Sequence, residues 1–372
     1  MRRAEIFLGL ALLCAATPAH AQLFGTQGLD PAYCKQPTLR QTVVYVDDEM
    51  RLRQPDWARK LAEKLRATLT PGESVAVVAL SPADGTSSEI WTGCWPNLGD
   101  AARAEAAAGT YVFSRSPLDQ IGDQQRFFVR DLGLALTKIA TDARPVQPSD
   151  GHRHKQLLRA LASDGGRFAN AEQTVRAIIY SDMAEDSDLG SVYAPLPADR
   201  MEFGDKLGAH LRHGVFYAYG MADGLRPEDG LPERMRAFWT RAFASMSGVA
   251  AGLGSDLNVP NVLPVRATTI PIELKLGDDA LTGRVSLLAD TDGTLVDSWI
   301  GVSRLSIAKL SGTFRCAPSA STCRLDAATA TGFVTSGNSD QFVMTGHDAA
   351  TLVGSIGVKG TGYWYPVKAV AE

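Results

Sequence analysis

Two short stretches constrain this chain more than any other feature: Thr42-Val-Val-Tyr-Val-Asp-Asp-Glu49 and Val175-Arg-Ala-Ile-Ile-Tyr-Ser-Asp-Met183. Each is an apolar, β-branched run that breaks off in acid. A strand buried on both faces of a parallel sheet reads this way where its carboxyl end meets solvent. Open α/β sheets bind their ligands outside the carboxyl ends of such strands. Asp47, Glu49 and Asp182 are therefore expected to converge on one rim, although they lie far apart in the chain. The residues place a site there without naming its ligand, and no motif identifies an enzyme.

The segments between these runs read as amphipathic helices. Pro55 suits a first helical turn, and Trp57, Leu61, Leu65 and Leu69 recur every four residues as one apolar stripe. Ser74 to Leu80 is a second buried strand and Ser88 to Trp91 an edge strand. Ser116-Pro117 opens a long helix carrying Ile121, Phe128, Leu132, Leu136 and Ile139. A short helix carries Leu157, Leu158 and Leu161. Gly214 to Gly220 is a further strand, and Pro232 opens a helix with Met235, Phe238, Trp239 and Phe243 on its apolar side. Strands alternating with helices imply an α/β fold, a doubly wound, mostly parallel sheet over residues 41–254. Asn258 to Pro264 reads as a linker. Beyond it helical periodicity stops, and Ile270–Leu276, Gly283–Leu288, Ser298–Leu310, Gly332–Thr335, Gln341–Thr345 and Thr351–Lys359 are β-rich. Residues 265–372 are thus expected to form a small antiparallel β-sandwich or barrel.

The chain starts with Arg2 and Arg3, an apolar stretch from Ile6 to Ala16, and Ala19-His20-Ala21, a small-x-small cleavage signal. This is the pattern of a secretory signal peptide over residues 1–21, followed by a Gly-, Pro- and Gln-rich N-terminal arm over residues 22–40. The expected location is periplasmic or secreted, with cleavage near Ala21, and no later run is long enough to span a bilayer. Basic and acidic residues, 37 and 41 in all, are interspersed, which gives nucleic acid no basic patch to bind. Cys14 leaves with the signal. Of the three pairings open to Cys34, Cys94, Cys316 and Cys323, local closure of Cys316 with Cys323 across a short turn leaves Cys34 with Cys94.

The order of elements, the strand to Asp47, the amphipathic helix, Pro-Gly-Glu-Ser-Val-Ala-Val-Val and the later Ile-Ile-Tyr-Ser-Asp-Met together resemble a von Willebrand factor A-type domain from about Gln41 to Gly248. Members with a metal-ion-dependent adhesion site carry Asp-x-Ser-x-Ser after the first strand, a Thr in a later loop, and an Asp after the fourth strand. Here Asp47 matches the first Asp and Asp182 the last. Glu49 and Arg51 stand at the two Ser positions, and Ser149 or Asp150 in place of the Thr. The motif is degenerate. The resemblance implies a binding rim of Asp47, Glu49, Arg51, Ser149 and Asp182, in which Asp47, Glu49 and Asp182 are the carboxylates available to Mg²⁺ or Ca²⁺. Arg51 offers a positive charge that would take the cation's role instead. The favoured expectation is a metal-free, ion-paired rim with no cofactor.

The first functional reading is an exported, non-enzymatic module that binds a protein partner in the envelope through this rim. The alternative is a periplasmic hydrolase in which a metal at the same rim activates water. Weaker candidates are a Ser181/His213/Asp223 hydrolase, the pair His152 and His154, and Glu185-Asp186-Ser187-Asp188, which reads as a solvated loop. Tyr363-Trp364-Tyr365-Pro366 reads as part of a last, core-facing strand, with stacking on a sugar or peptide as its functional alternative.

Overall fold

The computed structural model describes residues 29–370, apart from 36–37, 39, 51–55, 111–114, 143–153, 169–172, 196–202, 227, 262–263, 265, 297, 304, 306, 317–321, 330–331, 335–338 and 359–360. Each apolar run of the first half becomes a strand and each stripe a helix. In chain order these are β1 (Arg40–Asp47), α1 (Trp57–Thr68), β2 (Ser74–Ser81), β3 (Thr86–Cys94), α2 (Asp100–Ala108), α3 (Pro117–Asp142), α4 (Leu157–Ser163) and β4 (Thr174–Tyr180). A two-strand hairpin of β5 (Asp186–Ser187) and β6 (Gly190–Ser191) follows, then α5 (Phe203–Leu207), β7 (Gly214–Tyr219), α6 (Leu231–Ser245) and β8 (Val249–Leu253).

The main sheet runs β3-β2-β1-β4-β7-β8. All neighbours are parallel except β3, which lies antiparallel on β2 as an edge strand. Alternation along the strands sends side chains to both faces. Val43, Tyr45, Ala177 and Ile179 pack toward α4 and α6, while Val44, Val46, Ile178 and Tyr180 pack toward α1 and α3. Both faces are covered, so the strands read as unbroken apolar runs.

The second half is a closed barrel, not a sandwich. Its strands are β9 (Arg266–Leu276), β10 (Asp279–Ala289), β11 (Ser298–Val302), β12 (Ile307–Arg315), β13 (Cys323–Thr329), β14 (Gln341–Gly346), β15 (Val353–Gly357) and β16 (Trp364–Ala369). Each pairs antiparallel with the next, and β16 returns to β9. Ile272, Leu274, Val285, Ile300, Leu310, Leu325, Phe342 and Ile356 belong to its buried core. Strand contact is close at Gly354, where a Cβ would lie 1.9 Å from the Val343 carbonyl oxygen, so only glycine fits without a shift.

Several sequence expectations are corrected here. The stretch Ser298–Leu310 is two strands, broken after Val302, whose carbonyl accepts from Leu305. Phe333 and Val334 are not in a strand; they sit in a bend and donate their backbone N–H groups to the buried Asp340 carboxylate. β8 and β13 lie outside the runs expected to form strands. Within the expected linker, Val259 is buried in the same cluster as Ala267, Leu288 and the residues facing α1 and α3. His213 Nδ1 also lies 3.0 Å from the Ala267 carbonyl.

Both expected disulfides form, Cys34–Cys94 and Cys316–Cys323. The first ties the 3₁₀ turn Pro31–Lys35, part of the expected N-terminal arm, to the end of β3. With its cysteines 60 positions apart in the chain, it is worth on the order of 4 kcal/mol by loop entropy alone. Among the described residues no helix is long and apolar enough to cross a membrane.

Candidate functional site

β1 and β4 are hydrogen-bonded neighbours at the centre of the sheet, in register from Arg40↔Thr174 to Val46↔Tyr180. The chain leaves β1 toward β2 on one side and β4 toward β7 on the other. The crevice beyond their carboxyl ends is therefore the topological switch point, where open α/β sheets place their ligands. Asp47 ends β1, and Ser181 and Asp182 follow β4.

A side chain that sequence reasoning missed joins them. Lys155 Nζ lies 2.6 Å from Asp47 Oδ2, 2.7 Å from Asp182 Oδ1 and 3.9 Å from Glu49 Oε2. Lys155 and Asp47 are each 1% exposed and Asp182 5%. The expected positive group, Arg51, lies outside the described residues, as do Ser149, Asp150 and His152. The structure thus brings Asp47, Glu49 and Asp182 together, around a lysine from a distant segment.

Local structure holds this lysine in place. Its backbone N–H donates to the Asp186 carbonyl at 3.0 Å, and its own carbonyl accepts from Asp186 N–H at 2.9 Å. The next residue, Gln156, donates its N–H to the Pro82 carbonyl at 2.9 Å. Glu185 is fully buried, which corrects the solvated-loop reading of Glu185 to Asp188. Its carboxylate accepts the Leu158 N–H at the start of α4 at 2.8 Å and the Ser187 hydroxyl at 2.5 Å. Only Asp188 of that stretch is exposed, and it pairs with Arg159.

The carboxylates are fixed as firmly. Asp47 accepts from Glu49 N–H at 3.0 Å and from Ser181 Oγ at 2.6 Å. Asp182 Oδ1 accepts Ala184 N–H at 3.0 Å, and its carbonyl accepts Ala222 N–H at 2.9 Å. Met183 and Ala222 adopt left-handed backbones, φ 58° and 64°, on the loops that leave β4 and β7. Each costs on the order of 1 kcal/mol and persists only where its surroundings dictate it. Trp239 Nε1, donating to the Met183 carbonyl at 2.8 Å, is part of those surroundings. On the other face, Trp57, Tyr180 and Tyr219 stack with centroids 4.5 and 4.8 Å apart. Gly220 follows Tyr219 with φ +83°, and a Cβ there would press on Met50 and Tyr180.

Burial opposes the charge on Lys155, but Asp47 and Asp182 outweigh it and hold the ammonium above its ordinary range, so it is no proton acceptor near neutral pH. Burial pushes the Asp47 carboxyl up, with Lys155 pulling the other way. Burial also drives Glu49 to about 7, reinforced by Asp47 and Asp182 against the pull of Lys155. The Ser181 hydroxyl is buried and committed to Asp47. His213 lies at the amino end of β7, so with the strands parallel its backbone sits about one six-residue strand, roughly 20 Å, from the Ser181 end. The structure separates that triad. It also exposes Tyr363 (67%) and Trp364 (40%), against the expectation of a core-facing strand.

A divalent cation does not fit the rim as it stands. The point shared by the Asp47 and Asp182 oxygens is taken by Nζ, and among the described residues no group of three or more His, Cys, Asp or Glu side chains is placed to hold a metal.

Glu185 supplies a test of this packing. Burial raises it from an ordinary 4.5 to about 7, partly offset by its hydrogen bonds. A carboxyl raised by folding disfavours the folded state when ionised. The cost is absent below pH 4.5, grows as pH rises, and is complete above 7, on the order of 1–3 kcal/mol. Glu185→Gln should therefore melt close to wild type near pH 5 and above it at pH 8. Parallel Tm-against-pH profiles for the two proteins would refute this.

No protein-family model matches the sequence, and no curated protein matches it. Among solved structures the chain is similar to the crystal structure of the ArnB paralog VWA2 from Sulfolobus acidocaldarius, at 8% identity and a TM-score of 0.30, covering 83% of this chain and 65% of that one. It is also similar to the human COPII-coat protein Sec24c, at 8% identity and a TM-score of 0.31, covering 91% of this chain and 45% of that one. This chain therefore spans under two thirds of each. The fold class rests on the strand order itself, a doubly wound, mostly parallel α/β sheet followed by an antiparallel β-barrel.

Proposed function

We propose that this chain is an exported, non-enzymatic protein-binding module whose contact surface is the carboxyl-edge rim at the β1/β4 switch point. The observation that carries the reading is the lysine-bridged carboxylate pair at that crevice, built on over-determined loops, with the Ser181 hydroxyl committed to Asp47. Two disulfides fit an oxidising compartment after signal cleavage near Ala21. Among the described residues around the crevice, Asp47, Asp48, Glu49, Asp182, Asp186 and Asp188 outnumber Lys155 and Arg159, so the partner it suits presents lysine or arginine. The barrel supplies a second surface that carries Tyr363 and Trp364. A metal-assisted hydrolase is disfavoured because Lys155 stands where its metal would sit.

A photo-crosslinking residue at Asp188, exposed on the hairpin beside the rim, tests this against one at Asp292, exposed on a barrel turn. In the periplasm Asp188 should yield an adduct with a basic-surfaced protein, and Asp292 should not. The adduct should fade with added salt, because exposed charges are screened within about 10 Å at 0.1 M. Turnover of a model ester or phosphoester that is lost with Asp182→Asn would replace this reading with the hydrolase.

A further inference from the structure

We propose that Lys155 is a tethered replacement for a divalent cation, and that removing its side chain uncovers a metal site between Asp47 and Asp182. One nitrogen within 2.7 Å of carboxylate oxygens from two neighbouring strand ends has the arrangement of a cation shared by two carboxylates. Glu49 Oε2, 3.9 Å from the same nitrogen, supplies a third hard oxygen within reach of a small shift. The ammonium arrives from the segment before α4, not from either strand, so a substitution at Lys155 leaves every oxygen donor on its own element. Among the described residues three acids share one positive charge here, a deficit that a doubly charged ion would meet better than lysine does. The volume of the lysine stem would admit the waters that Mg²⁺ or Ca²⁺ needs to complete its shell.

A wild-type rim built this way is cation-independent. Its charge pattern is present at any Mg²⁺ or Ca²⁺ concentration and resists chelation. The inference concerns the rim's ion chemistry and stands whether or not the partner-binding reading does.

The test titrates Mg²⁺ and Ca²⁺ calorimetrically into the full chain. Wild type should give no binding heat, and its Tm should not move with EDTA or with about 10 mM cation, well above the Kd of weak extracellular calcium modules. Lys155→Ala should bind one ion per chain and gain about 4 °C in Tm at about a hundredfold Kd. Lys155→Met, whose side chain keeps the volume filled, should gain nothing, and Lys155→Ala with Asp182→Asn should lose the binding. Wild-type binding as tight as that of Lys155→Ala would overturn the proposal. So would a folded Lys155→Ala that binds neither ion, or one recovered folded neither with nor without cation.

Discussion

Glu73→Ala is expected to destabilise the protein by about 3–5 kcal/mol, because it leaves buried guanidinium groups without their carboxylate. Glu73, Arg40 and Arg176 are all buried at the amino ends of the central strands. Arg40 grips both carboxylate oxygens, at 2.9 and 2.7 Å. Arg176 approaches at 3.3 Å and donates to Thr42 and Thr68 at 2.8 and 2.7 Å. Thr42 and Thr70 donate to the same carboxylate. Burial alone would raise Glu73, but these partners, Arg40 foremost, hold it below its ordinary value. A depressed carboxyl stabilises the fold fully above its unfolded value of about 4.5, and this contribution is lost as pH falls through the folded value. Glu73→Gln should therefore erase part of the acid limb of the stability curve, as well as costing stability at pH 7. Urea unfolding at pH 7 and pH 4 reads both. A Glu73→Ala loss under about 1 kcal/mol would mean that water enters and rescues the arginines.

The cluster also shows where sequence reading reaches and where it stops. The strands β1, β2, β4 and β7 were legible because burial on both faces demands unbroken apolar runs, and their acidic ends marked the rim. The same reading passed over Arg40, Thr42 and Arg176, since an arginine inside an apolar run carries no sign of a partner from another strand. Lys155 was hidden for a related reason. In His154-Lys155-Gln156 it looks like any solvated residue before a helix, and only the need of two adjacent carboxylates for a cation pointed to a missing charge. β13 escaped because its inward positions, Cys323, Leu325, Ala327 and Thr329, include only one large apolar side chain, so its period of two is faint. Closure into a barrel depends on β16 pairing with β9 across the whole domain, and no local pattern encodes that. The exposure of Trp364 follows from the same closure, because with the interior filled the alternate residues Trp364, Pro366 and Lys368 face outward, and Tyr363 precedes the strand.

Lys155→Met should cost a further 3–5 kcal/mol by the opposite imbalance, two buried carboxylates left facing each other. Wild type holds the ammonium against Asp47 and Asp182 at 2.6 and 2.7 Å with almost no solvent contact. Methionine keeps the stem's packing and deletes the charge, so the loss reads electrostatics and not a cavity. One of the two carboxylates would then stay protonated well above its ordinary range, and the variant's stability should fall as pH rises through neutrality, where wild type keeps its ion pairs. Adding Asp47→Asn removes one of the repelling charges and keeps an oxygen to accept the Glu49 N–H, while its amide N–H can donate to the Ser181 hydroxyl oxygen. The double variant should therefore be more stable than Lys155→Met alone, with a coupling energy of about 1–3 kcal/mol in a double-mutant cycle. Additive losses would mean that Lys155 and Asp47 do not act as a unit. A cycle with the predicted sign would establish that the β1 and β4 ends are held at one crevice by a charge the protein carries itself, and that the rim is set before any partner arrives.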